Sequence, residues 1–365
     1  LVNSFWRLVS VDPGFHAEHV LLASLDIPSD RYDSGDKKNA YRSELLRRVA
    51  EIPGVAAVGA AKTQPLHGGG EPYEFTLAGR SGPDAVMHPA SGTLIVSPGY
   101  FSALGIPLLR GRGFEPRDEG ADSPPVLMIN QAAARRYFSG ADPVGQTVKL
   151  EDTQLTVIGV VGDVRNEGLA SEPQPAAYLS YALASRGATQ LFVRTTGDPA
   201  AAAASVRRAI HDADPLQPIA EVRTLDSAMA DTVAQPRFFT ILLSLFGSVA
   251  VLLAALGLYG VVAYSVTRRT AEIGIRMALG ARARDVVAMV VRRSAWPTAA
   301  GIVAGAAAAL LLARWMASML FQVRPADPAT FAGAAALLAT IAVLASWIPA
   351  RRAARIEPSR ALRAD

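Results

Sequence analysis

The chain has 365 residues, half of them hydrophobic and only 19% charged, with no cysteine. That length allows two or three domains and a sizeable core, while a charged fraction below the usual ~25% and a mean hydropathy of +0.23 argue against a purely soluble or disordered chain. The net charge of +4 divides at Arg237 into −5 for residues 1–237 (22 Lys+Arg, 27 Asp+Glu) and +9 for residues 238–365 (14 Arg, no Lys, 5 acids); these arginines lie between long apolar runs, so the split reads as membrane topology and not as a nucleic-acid surface.

Absence of cysteine excludes disulfides, thiol nucleophiles, thiolate zinc sites and iron–sulfur clusters. The chain begins at Leu1 without Met, and no cleavable signal precedes Asp12-Pro13-Gly14. The chain is therefore expected to be a fragment whose upstream part is missing.

Residues 15–232 alternate strand-like and helix-like runs. Val20–Ile27 alternates like a half-buried strand, and Lys37–Glu51 carries helical spacing at Tyr41, Leu45, Leu46 and Val49 before Pro53-Gly54 stops it. Val55–Ala61, Tyr73–Ala78 and Thr93–Val96 read as strands. Val126–Ile129 followed by Asn130–Phe138 reads as strand, cap and helix. Gln154–Val161 and Gln190–Thr195 are further strands, Pro199–Ala213 and Asp226–Gln235 helices. This mixed order predicts an α+β domain, with room for two lobes.

Three local patterns in this half touch on enzyme chemistry. His67-Gly68-Gly69-Gly70 resembles a lipase oxyanion-hole segment, but no G-x-S-x-G elbow supplies a nucleophile, leaving a flexible glycine loop. Gly159-Val-Val-Gly162-Asp163 lacks the third glycine and following helix of a dinucleotide turn, and reads as a bend leaving a strand. His16 and His19 have no third ligand nearby, which predicts a solvated loop and no metal site. No G-x-x-x-x-G-K-[ST] occurs, so the chain carries no P-loop, and nothing in it forms a catalytic constellation.

Beyond Arg237 three runs free of charge are long enough for a ~30 Å hydrocarbon core: Phe238–Thr267 (30 residues), Ser294–Ala313 (20) and Pro328–Ala350 (23). Transmembrane helices are expected at about 238–266, 294–313 and 329–350. Arg268–Arg293 carries seven Arg, Arg314–Asp327 two, and the tail Arg351–Asp365 five. The first and last of these segments are thereby placed in the cytoplasm, and residues 1–237 outside. Gly301 and Gly305 form GxxxG in the second run, a spacing that lets helices pack closely; an alanine-rich composition without further meaning is the alternative.

The segment Arg268–Arg293, RRTAEIGIRMALGARARDVVAMVVRR, is the most informative. Glu272 and Arg276 stand at i,i+4 and pair across one turn. Ile273, Met277 and Gly280 share one face, with Ile275 and Leu279 on another. Gly280 fits a helix stop, and Arg284-Asp285 starts the next helix. Such a helix either docks in a groove of a partner or lies as an arginine collar on anionic lipid.

RRTAEIGIRMALGA before the second run, and IPARRAARIEPSRALR after the third, resemble the FtsX-like permease domain of MacB/FtsX-type ABC transporters. VDPGFHAEHVLLASLDIP, SPGYFSALGIPLLRGRGF and IGVVGDVRNEGLASEPQPAAYLSY are similar to the MacB-like periplasmic core domain. The resemblance covers essentially the whole chain in order. It implies a periplasmic core domain over 15–232 and a permease domain over 238–365, in a stand-alone or duplicated permease of the bacterial inner membrane. It also implies a first transmembrane helix that this sequence lacks, with residues 1–14 as the juxtamembrane segment after it. In the family the cytoplasmic loop meets the ATPase, which assigns that contact to Glu272, Ile273, Gly274, Ile275, Arg276, Met277, Ala278, Leu279, Gly280 and Ala281. The function implied is a non-catalytic permease subunit for efflux or export that holds no cofactor or metal itself. ATP would be bound by a partner ATPase in trans. Further partners implied are a second permease unit (homodimer or pseudo-dimer), membrane lipid and a periplasmic adaptor, with no nucleic acid. The alternative class is a membrane-anchored sensor or regulator of a cell-envelope process without transport.

Overall fold

A computed structural model describes residues 10–78, 85–120, 123–138, 140–183, 188–269, 272–273, 275–276, 279, 281–316 and 328–353. The chain divides into two compact units, Leu1–Arg237 and Phe238–Asp365.

In chain order the first unit contains β1 (Val20–Asp26), α1 (Gly35–Ala50), β2 (Val55–Ala61), β3 (Phe75–Leu77), β4 (Val86–Met87), β5 (Thr93–Val96), α2 (Tyr100–Leu104), β6 (Leu108–Gly111), β7 (Val126–Asn130), α3 (Gln131–Phe138), β8 (Thr147–Leu150), β9 (Thr153–Val161), β10 (Ala177–Ser180), β11 (Ala188–Thr195), α4 (Pro199–Ala213) and β12 (Ile219–Thr224). The twelve strands join in the order β12-β1-β11-β2-β5-β10-β7-β9-β8-β3-β4, with β6 also on β9. β5/β10 and β7/β9 run parallel and the other pairs antiparallel. β2 meets β5 through the single pair Ala61↔Val96, a narrow waist between two halves of the sheet.

Side-chain alternation explains how one sheet serves several cores. In β1, Val20 and Leu22 enter one cluster with Tyr100, Phe101, Met128, Tyr178 and Phe192. Leu21, Ala23 and Leu25 enter another beneath α1 and α4, with Tyr41, Leu45, Val49, Val206 and Ile210. The spacing of Tyr41, Leu45 and Val49 is one helical face, and Ser34 caps α1 by accepting from the Lys37 N–H. The far half has its own core, in which Phe75, Met87, Leu127, Ile129 and Phe138 pack between the sheet and α3.

The elements described in the second unit are helices. The one that enters it, α5 (Leu225–Arg268), begins in the first unit; α6 (Ala283–Met316) and α7 (Pro328–Ala353) follow. Among the described residues three stretches are long and apolar enough to cross a membrane: Ile241–Arg268, Val287–Leu311 and Ala332–Pro349. The second starts at Val287, ahead of Arg292 and Arg293, where a count of uncharged residues starts only at Ser294; long arginine stems carry their charge to an interface. Phe246, Leu253, Val303 and Leu311 are each more than 60% exposed. Apolar surface on that scale needs lipid to cover it. The helix expected to stop at Gln235 continues through Pro236 into α5. The bias of a pre-proline residue against helix is a tendency that a longer helix overrides.

Candidate functional site

The segment that joins α5 to α6 is built by short backbone signals. The Ile273 N–H donates to Arg269 C=O at 2.9 Å, and the Leu279 N–H to Ile275 C=O at 3.0 Å. The Ala281 N–H reaches back to Arg276 C=O at 3.0 Å, a six-to-one bond that ends a helix. Asp285 then caps α6, its carboxylate accepting from the Arg282 N–H at 3.2 Å.

Side chains fix the segment on one face. Ile273 is 5% exposed and packs on Val262 and Val266 of α5, with Leu258, Val287 and Val290 alongside. Glu272 and Arg276 pair at 2.8 Å, and the Arg276 guanidinium also donates to Met289 Sδ at 2.9 Å. The opposite face is open: Ile275 is 50% and Leu279 84% exposed. Gly274, Met277, Ala278 and Gly280 lie outside the described residues. The i,i+4 pair and the two faces were readable in the sequence. Met289 and the α5 valines were not, because their contacts are set by the crossing of two helices.

Arginine–aromatic pairs stand at the same ends of the helices. Arg268 lies 5.2 Å from the Tyr264 ring and Arg351 5.0 Å from the Trp347 ring. Trp296, 80% exposed, lies inside α6, just before Pro297. Such amphipathic rings favour the membrane–water interface.

Gly301 and Gly305 do not make a close seam with another described helix of this chain. An added Cβ at either would meet nothing within 4 Å. They line an apolar groove of about 440 Å³ together with Ala254 of α5 and Ala335 of α7.

The other candidates resolve into structure. His67-Gly-Gly-Gly70 is a shaped turn: Gly68 and Gly69 adopt φ of +63° and +84°, and the Gly68 N–H donates to Asn166 C=O at 2.8 Å. The expectation of a merely flexible loop is corrected accordingly. Gly159 stands inside β9, before the end of the strand. His19 Nδ1 contacts Gly197 C=O at 3.0 Å, and among the described residues no three His, Cys, Asp or Glu side chains gather as a metal site.

A mixed α/β domain and three apolar helices, with an arginine-rich clamped segment between the first two, define a multi-span membrane protein with a large extracytoplasmic part. Residues 8–212 match the MacB-like periplasmic core domain, and residues 244–358 the FtsX-like permease C-terminal domain. The chain belongs to this MacB/FtsX-like permease family.

Relatives include the probable syringafactin export ATP-binding/permease protein of Pseudomonas syringae pv. tomato, 30% identical over 294 residues (74% of this chain, 42% of that protein). The macrolide export ATP-binding/permease protein MacB of Rhodospirillum rubrum is 29% identical over 282 residues (73% and 42%). The pyoverdine export ATP-binding/permease protein PvdT of Pseudomonas aeruginosa is 26% identical over 271 residues (71% and 40%). The chain thus spans about two-fifths of the length of these relatives. The periplasmic region of MacB from Actinobacillus actinomycetemcomitans aligns over 62% of this chain and 97% of its own at 15% identity, with a TM-score of 0.41.

Proposed function

We propose that the chain is the membrane permease of an ABC-type export system, driven by an ATPase supplied by a partner. The observation that carries this reading is the clamped segment. Ile273 packs it on α5 and α6, Arg276 ties it to Met289 of α6, and Ile275 and Leu279 face outward as an apolar knob. A short helix held on one face and apolar on the other is suited to a groove on a partner. The relatives, named as export ATP-binding/permease proteins, supply the class of partner.

The mechanism we assign is leverage. Closure of the nucleotide-bound ATPase would push on Leu279 and Ile275. Ile273 would pass the push to α5, which leads by chain continuity to the extracytoplasmic domain, placed outside an inner membrane with the C-terminus in the cytoplasm. The uncharged runs agree with export that needs no polar path between these helices. In this reading the chain catalyses nothing and binds no nucleotide. A second permease unit would pack its helix near Gly301 and Gly305, where small residues leave room.

Co-expression with the ATPase encoded nearest to it in the genome, followed by purification, tests the proposal. Leu279→Asp should abolish association and stimulated ATP hydrolysis while leaving membrane insertion intact. An apolar contact of this size is worth about 1.5–3 kcal/mol, roughly 10–100-fold in affinity. Charge reversal at Glu272 or Arg276 should weaken stimulation, and the double swap should restore part of it. Unchanged stimulation in Leu279→Asp would falsify the docking face.

A further inference from the structure

A groove of about 250 Å³ lies where α5, α6 and the clamped segment meet. Its walls are apolar, formed by Leu258, Val261, Val262 and Val266 of α5 with Val290 and Pro297 of α6. Its polar groups, Ser265, Arg269 and Glu272, are gathered toward the Arg268 end of α5. Glu272 is already neutralised by Arg276 at 2.8 Å. Arg269 has no side-chain hydrogen bond or ion pair among the described residues.

From Leu258 to Arg269 is eleven residues, about 16 Å along a helix axis. That is about half the thickness of a ~30 Å hydrocarbon core. The groove is therefore one leaflet deep, greasy along its length, with a guanidinium at the headgroup end that has no partner among the described residues. Tyr264, whose ring lies 5.2 Å from Arg268, is the amphipathic aromatic near that end.

We infer that this groove is a binding site for one anionic phospholipid of the leaflet on the Arg268 side, with an acyl chain along Val261 and Val262 and the headgroup phosphate on Arg269. Charge selects the headgroup class. The two acids nearest in sequence are engaged, Glu272 by Arg276 and Asp285 by the Arg282 N–H. No free carboxylate among the described residues of this segment is left to hold a choline or ethanolamine nitrogen, whereas a phosphodiester with a neutral glycerol head can take the Arg269 guanidinium while Glu272 stays paired with Arg276. Because Ile273 forms part of the groove wall, an occupied groove also props the clamped segment from below. The site rests on the membrane placement of α5 and not on an ATPase partner.

The test uses the full chain in mild detergent with dioleoyl phosphatidylglycerol or dioleoyl phosphatidylcholine, read by native mass spectrometry and by thermal unfolding. One phosphatidylglycerol per chain should survive delipidation and raise the unfolding temperature, with phosphatidylcholine doing neither. Arg269→Gln should weaken retention about fivefold, the worth of one basic residue at an anionic lipid surface. Arg269→Lys should keep most of it. Arg284→Gln, an exposed arginine away from the groove, should change nothing, and Ser265→Phe, which fills the groove mouth, should remove the lipid without removing charge. Equal retention of phosphatidylcholine, full retention by Arg269→Gln, or the same thermal shift from inorganic phosphate alone would each overturn the proposal. Loss of ATPase association has no bearing on these readouts, so the two readings fail separately.

Discussion

Asp118 shows how much a single side chain can hold in this fold. It follows Pro116 in a single 3₁₀ turn, with its side chain only 4% exposed. It accepts both arms of the Arg112 guanidinium at 2.6 and 2.9 Å, and the Glu115 N–H at 2.8 Å. Hydrogen bonding from Arg112 holds its carboxyl below the usual range, against the opposing effect of burial. Asp118→Asn keeps the shape and loses the charge-assisted bonds, so unfolding free energy measured in urea should fall by about 1–3 kcal/mol. The sign with pH follows from the depressed value. The native ion pair stabilises fully above the unfolded carboxylate range, and that stabilisation is lost as pH falls through the lower folded value. The Asp118→Asn protein should therefore lose less stability on acidification than the parent, and parallel acid limbs would show that the pair contributes nothing. Gly111, four residues before the turn's cap Glu115, faces Gly159, which the sequence placed in a bend leaving a strand. Gly111 has φ +71°, and a Cβ there would stand 2.1 Å from Ile158 C=O; one at Gly159 would stand 2.3 Å from Arg112 C=O. Gly159 is there because β6 crosses it at close range, a tertiary cause with no local signature.

Elements were legible where a period repeats. α4 matches its expected limits residue for residue, as do β2 and β5, because helical spacing or a compact apolar run ends in clear turn residues. β10, AYLS, escaped notice because all four residues are buried, leaving no alternation to see. β6 was missed for the opposite reason, since Leu108–Gly111 are all exposed and read as loop. The clamped segment falls between these cases. Its internal pair, Glu272–Arg276, follows from i,i+4 geometry, but which apolar face it buries is decided by α5 and α6. Of the two faces, Ile273 should secure the segment and Leu279 should not. Ile273→Ala should speed amide hydrogen exchange at residues 272–276 by at least tenfold, as removal of buried methyl groups costs a few kcal/mol. Leu279→Ala should leave those amides at the parent rate. Equal exchange in both variants would mean that Ile273 does not anchor the segment.

At the scale of the whole chain, charge and apolar length act together. A −5 half and a +9 half are joined by a helix that turns apolar at Phe238, and arginines gather at the Tyr264 and Trp347 ends of the first and third spans and at the start of the second. Arginine in short loops favours the cytoplasmic side, and aromatic rings favour the membrane–water interface. The orientation proposed on that ground would put Asp152 outside and Arg284 inside. The chain contains no cysteine, so a single introduced thiol is the only one that a maleimide finds. The Asp152 side chain is fully exposed and that of Arg284 is 71% exposed, so neither substitution disturbs a core. In intact cells whose outer barrier has been opened, a membrane-impermeant maleimide should label Asp152→Cys at once. Arg284→Cys should label only after the inner membrane is permeabilised. The reverse pattern would invert the topology, and with it the side from which an ATPase could reach Leu279. Labelling of both thiols in intact cells would mean that the apolar runs do not span a sealed bilayer. Because the readout needs neither substrate nor partner, it decides the placement on which both the lever and the lipid groove depend.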